Sequence, residues 1–372
     1  MIYQFISPDI WKKKVMIRFI FSIFTLLSFQ STIAQNLETK INMVPSNWNY
    51  SKEATFEKFD NRETVLLNNG RITVKNHKFE NGIIEVDVLA NGSRSFAGIT
   101  FRKQNENMEE VYMRLHKSNQ VDAVQYTPIF NNESNWQLYK EYQALVSFKK
   151  IGWNNLRVEV KNKVADVFVN GKKILTINEL KTNQDRGEIG LFALFSNRFS
   201  NFKITTTNLL EQKIVDNDIS TNSSIINKWL VTKSKLYNEE KFNYKSLYNE
   251  DYVEIKTERS GLLPISKHIK KSSSGNFEQN KEEYVITQKN IHVDSDQIKL
   301  FSFDYSDKII VYLNGSPIFK GNNAFRSKGL QYQGHIDINS NKLYLNLKKG
   351  NNTLHCIIID KANGWGLIGK LD

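Results

Sequence analysis

Cysteine is almost missing from this chain: Cys356 is the only one among 372 residues. A single thiol closes no internal disulfide and builds no cysteine metal cluster, so the fold stands on its core alone. Within the apolar run HCIIID, Cys356 reads as a small buried hydrophobe. Helical periodicity is nearly absent too, which argues against an alternating α/β fold. The N-terminal apolar run FIFSIFTLLSF, Phe19 to Phe29, falls short of the roughly 20 residues that a spanning helix requires. The formal charge is +12, yet no cluster of Lys and Arg at groove spacing accompanies it, so nucleic acid is not expected as a partner.

That apolar run belongs to a leader. Lys12, Lys13, Lys14 and Arg18 precede or open it, and the small-residue site Thr32-Ile33-Ala34 stands before Gln35. The pattern predicts an export signal over 1–34, cleaved after Ala34, which places the mature protein in the periplasm or outside the cell with no membrane span left. Met1 and Met16 both stand as starts, since Arg18 and the apolar run survive from either. No cysteine at the cleavage site points to a lipid anchor. With Asp9 the leader carries +3 of the formal +12, leaving +9 on the remainder.

The length suggests about two domains. From Gly82 onward, short runs alternate apolar and polar residues: GIIEVDVL, AGITFR, VYMRLH, NLRVEV, ADVFVN, GEIGLFAL. Such runs, spaced by Asn, Gly and Lys turns, predict half-buried antiparallel strands. The segment LLEQKIVDNDISTNSSIIN has no period and is rich in Asn, Ser and Asp; it is expected to be a linker over 209–228. Alternation then resumes in DYVEIKTE, YVITQKNIHV, IKLFSFDY, KIIVYLNG, KLYLNL and TLHCIIID. The expected fold class is therefore all-β, two β-sandwich (jelly-roll) domains in tandem, over 35–208 and 229–372. Asn-Gly stands between strands in both DVFVNGKKIL and IVYLNGSPIF, where positive φ at both residues favours a tight hairpin.

Side-chain direction tests which polar residues could meet. In VYMRLH, Val111, Met113 and Leu115 face one way and Tyr112, Arg114 and His116 the other. In AGITFR, Arg102 falls opposite Ile99 and Phe101. If the strands are neighbours, these polar residues share the uncovered face, within reach of a loop carrying Asp122, Gln125 and Tyr126 and of Trp136 and Tyr139.

The order FENGIIEVDV, FAGITFR, VYMRLHKSNQVDAVQYTPIFN, WQLY, GWNNLRVEVKNKVADVFVNGKKIL, GEIGLFAL, RFSNFKI resembles the concanavalin A-like lectin/glucanase sandwich, and within it the laminin-G-like modules and the domain of 3-keto-disaccharide hydrolases. The resemblance implies a glycan partner bound on a concave sheet face. Aromatic rings stack on a pyranose while paired polar groups take its hydroxyls. Tyr112, Tyr126, Trp136 and Tyr139 suit the first task, and Arg102, Arg114, Asp122 and Gln125 the second, with His116 beside them. Lectin-like sandwiches also hold calcium, which leaves a structural calcium open. No compact run of Asp and Asn builds a dedicated loop here, so no cofactor and no metal are expected.

Retaining glucanases of this fold write their paired carboxylates as E-x-D-x-E or E-x-D-x-x-E on one strand. Glu85 and Asp87 begin such a pattern, but Leu89 and Ala90 stand where the second glutamate belongs. The mechanism lacks its acid/base, and catalysis stays uncertain. Asp122, His116 and Glu85 are the candidates for acid/base work on an oxidised sugar. In the second half, VYLNGSPIF, KLYLNLKKGNNTLHCIIID and the closing GWG resemble the galactose-binding-like jelly roll, in which Trp365 is framework as readily as site; Tyr332 and His335 lie in a loop of unassigned purpose. The expected function is an exported carbohydrate-binding or accessory protein with its groove on the first sandwich. The alternative is a glycoside hydrolase or keto-sugar-acting enzyme using the same groove.

Overall fold

Alternation decides which side of each strand is buried. In the strand Gly82–Asn91, Ile84, Val86, Val88 and Ala90 are buried while Glu85, Asp87 and Leu89 between them are half-exposed. The computed structural model describes residues 37–206, 224–245, 250–272 and 280–372. The expected leader and most of the expected linker lie outside these residues. Within its last part, Ile225 already bridges Lys370 and Lys228 opens a strand.

The described chain is all-β, built as antiparallel sheets that pair into sandwiches. One eight-stranded sheet runs in the order 172–177, 164–169, 151–161, 82–91, 197–206, 62–67, 54–59, with 37–41 also against 197–206. A second runs 133–134, 124–130, 107–114, 96–104, 188–194, 70–74, 48–49, with 143–144 against 124–130. Their inward rows, among them Val86, Ile99, Val111, Tyr126 and Leu191, form one core. A seven-stranded and a four-stranded sheet enclose the core around Trp229, Phe301, Phe303 and Trp365. Trp365 is fully buried there and donates Nε1–H to the Ile358 carbonyl at 3.1 Å. Cys356 is buried and free, as its apolar surroundings suggest.

Both Asn-Gly pairs make the hairpins expected of them. Asn170 and Asn314 have φ of 50°, and Gly171 and Gly315 have φ of 80° and 82°, the positive pair that matches the twist of the flanking strands.

The two sandwiches are closely joined. Leu262, Ile336 and Ile368 of the second half belong to the core of the first. Tyr139 donates its hydroxyl to Glu258 at 2.7 Å, and the buried Lys271 pairs with Glu133 at 2.7 Å and with Asp360 of its own sandwich. These contacts converge on the segment from Asn131 to Gln143, which carries the candidates Trp136 and Tyr139.

Candidate functional site

The outward row of the second sheet carries the polar cluster. Tyr112 lies opposite Gly98 on one neighbouring strand and Gln125 on the other, and Arg114 lies opposite Phe96. Val111 and Met113 point into the core, so the parity read from VYMRLH holds. Arg114 is buried and its guanidinium organises the rest. It donates to Gln125 Oε1 at 2.6 Å, to the Tyr112 hydroxyl at 3.4 Å and to the Asp122 carboxylate, and its Cζ sits 5.5 Å from the Trp136 ring. Lys117 also donates to Asp122, so one carboxylate serves two cations. Burial raises the Asp122 carboxyl, but the Lys117 hydrogen bond and the Arg114 charge outweigh it and hold the group below the ordinary range.

His116 stands at the rim, with Nδ1 3.3 Å from the Ser95 carbonyl and its ring edge-on to Phe96 at 5.3 Å. Burial lowers its pKa, and the charges of Arg94, Lys117 and Arg114 lower it further.

Tyr112, Arg114, His116, Asp122, Gln125 and Trp136 therefore gather on one face. Arg102, Tyr126 and Tyr139 do not. Arg102 sits at a bulge between Phe101 and Gln104 with φ of 53°, which takes it out of the strand's alternation. Fully buried, it donates to the carbonyls of Glu80 and Asn162, each at 2.7 Å, and ties two loops together. It lies about 20 Å along the strand from the residue facing Arg114. Tyr126 fails by parity. Only Asp122 and Ala123 of DAVQYTP lie in a turn; Val124–Phe130 is a strand, so Gln125 and Tyr126 face opposite ways. Tyr126 enters the core, where its hydroxyl donates to Glu109 at 2.6 Å. Tyr139 is buried against Tyr142 and spends its hydroxyl on Glu258.

The sequence reading missed three groups on this face. Glu110, two residues before Tyr112, shares its direction and accepts from Arg71 Nε at 2.8 Å; burial pushes its carboxyl up despite the Arg71 charge. Arg71 lies 4.8 Å over Phe192, which meets Tyr112 edge-on at 5.8 Å. Alternation alone could have found Glu110, whereas Arg71 and Phe192 join only through the sheet order. The third group, Gln143 and His335, arrives by tertiary contact. Gln143 Nε2 donates to Gln125 Oε1 at 3.0 Å and lies 3.1 Å from His335 Nε2, while Trp136 meets His335 edge-on at 5.5 Å. An amide donor facing Nε2 requires that nitrogen to be unprotonated, in accord with burial and the Arg114 and Lys140 charges pushing His335 down to about 4.

Glu85 and Asp87 belong to the other sheet. Asp87 accepts from Arg62 at 3.0 Å, from Asn155 at 3.1 Å and from Asn201 at 2.7 Å. Neither acid can act on the cluster across the sandwich. Among the described residues no group of three or more His, Cys, Asp or Glu has metal-holding geometry.

Residues 46–205 match the profile of the 3-keto-alpha-glucoside-1,2-lyase-like domain. No curated protein matches the chain. Similar solved structures include the carbohydrate binding module CBM66 from Bacillus subtilis, at 12% identity and TM-score 0.34 over 42% of this chain and 95% of that one. Another is a prokaryotic beta-1,3-1,4-glucanase (lichenase) derived from a mouse hindgut metagenome, at 9% identity and TM-score 0.33 over 46% and 99%. A third is the Bacillus licheniformis beta-glucanase, at 10% identity and TM-score 0.32 over 47% and 100%.

Proposed function

We propose that the outward face of the second sheet binds a glycan and that the chain is an exported carbohydrate-binding or accessory protein. One observation carries this reading: Arg114, held by Asp122, Gln125 and Tyr112, lies under Trp136 on a single sheet face. The buried groups fix the platform, and the half-exposed Arg71, His116, Trp136 and Phe192 are the surface that a sugar meets. Aromatic faces beside paired polar groups suit a pyranose, which has an apolar face and a hydroxylated edge. The lyase-like profile over 46–205 supports a saccharide partner. In the same reading, 35–208 and 229–372 are two domains, the second a galactose-binding-like support, and a signal over 1–34 directs export.

A second reading, turnover of a keto-sugar, is favoured by that same profile together with Glu110, whose carboxyl is pushed up, and the neutral His335. A glycan array on the chain from Gln35 onward, run beside Phe192→Ala and followed by product analysis of each hit, tests both. Binding without product, weakened in the variant, supports the binding protein. New reducing or keto-sugar product moves the assignment to the enzyme, and no binding to any saccharide overturns both.

A further inference from the structure

The second sandwich does more than abut this face. Its loop from Asn323 to Ser340 is pinned from within: Asp304 accepts from the Asp337 amide at 2.9 Å and from Asn341 at 3.2 Å. Outward, Gln137 of the first sandwich donates to the carbonyls of Gln333 at 2.7 Å and Gly334 at 3.2 Å, and its own carbonyl accepts from the Ile336 amide at 3.1 Å. Gly334 has φ of 70°, and a Cβ there would lie 2.4 Å from Gln137 Nε2, so only glycine permits this approach. The loop thus delivers Phe325 and His335 onto Trp136, with ring centroids 5.8 and 5.5 Å away.

The exposed charges around this junction are mostly cationic, with Glu141 beside Lys140 the exception. Asp122 is shared by Arg114 and Lys117. Arg94, Lys140 and Arg326 are exposed and form no ion pair among the described residues. Arg326 sits 4.9 Å over Phe325, and the loop holds no acid before Asp337. Cations at an open rim raise the local concentration of anionic ligands and favour their bound state.

We propose that the site is composite, completed by His335 of the second sandwich, and that its ligand is an acidic saccharide whose anionic group is taken at the cationic rim. This rests on the glycan reading above and names its ligand class. His335 Nδ1 has no hydrogen-bond partner among the described residues, and with Nε2 accepting from Gln143 it carries the ring proton, a donor for a sugar oxygen.

Calorimetric titration of the chain with matched neutral, uronate-bearing and sulfated oligosaccharides tests the inference. The acidic members are expected to bind at least about tenfold more tightly than their neutral counterparts, with the preference shrinking as salt rises. Lys140→Gln with Arg326→Gln, both at exposed positions, should cut the preference for the acidic members severalfold, with Arg94 holding the remainder. His335→Gln should weaken every member of the series at pH 7 while the protein still melts cooperatively above the titration temperature. The uronate and sulfate arms identify which anion is taken. Equal or tighter binding of the neutral sugars overturns the acidic ligand while the glycan reading stands, and unaltered affinity in His335→Gln overturns the composite site. Silence from the whole series overturns the glycan reading itself.

Discussion

On the outer face of the first sheet, Asp87 takes hydrogen bonds from Arg62, Asn155 and Asn201, and Arg157 pairs with Glu159 nearby, all in part open to water. On the outer face of the second sheet, Glu110, Arg114, Asp122 and Gln125 are buried beneath Phe192, Tyr112 and Trp136, and a loop of the other sandwich reaches the rim. Both faces follow from the same alternation of apolar and polar residues. What separates them is desolvation: ion pairs in water contribute little, whereas buried charges must be completely partnered and so hold a defined geometry. A built network of this kind is where ligand recognition is expected, and the open face is where it is not.

Substitutions should reproduce that contrast. The largest effect is expected from Trp136→Ala, which removes the ring contacts to Phe325, His335 and Arg114 and the 3.1 Å bond to Asn363. A loss of about 3 kcal/mol in urea unfolding is expected, at the lower end for a large aromatic because the ring is only half-buried. Separation of the transition into two steps would place the loss at the junction of the sandwiches.

Asp122→Asn should cost about 2 kcal/mol, since Arg114 and Lys117 lose their shared carboxylate and Arg114 stays buried. Acid should erase the difference. The Asp122 carboxyl is held below its ordinary value, so its contribution is present above the unfolded pKa of about 3.9 and lost as pH falls through the lower folded value.

His335 gives a separate window. Its folded pKa is lowered from 6.5 to about 4, so the native state binds fewer protons and stability declines as pH falls from 6.5 toward 4. His335→Gln should make the melting temperature fall less steeply over that interval, with His355, also lowered to about 4, keeping its own share of the slope. An unchanged slope would show that the imidazole is not held neutral at the junction.

The smallest effect belongs to the first sheet. Glu85→Gln should change stability by no more than about 0.5 kcal/mol and leave any saccharide affinity untouched. A large loss of binding there would reverse the assignment of the two faces.

Strand parity was legible wherever a run was read as a strand. It placed Tyr112 and Arg114 outward and Met113 inward, and it would have placed Glu110 with them had the run been followed two residues back. It failed at Arg102 because a bulge breaks the period, and at Tyr126 because the loop carrying Asp122 ends at Ala123 and the following residues, Val124–Phe130, are a strand buried along its length. The cross-sandwich contacts of Trp136, Tyr139 and His335 had no local signal. Their partners Phe325, Glu258 and Gln143 lie more than a hundred residues away.

By itself, the order of apolar and polar residues determined the all-β class, the Asn-Gly hairpins and the buried fate of Cys356, because each depends on a period or dipeptide whose physics is local. Only the tertiary structure decided which of the two outward faces is enclosed and which residues of the second sandwich touch it. Sheet order and the docking of distant loops depend on summed packing across the molecule, and that sum cannot be read from neighbours in the chain.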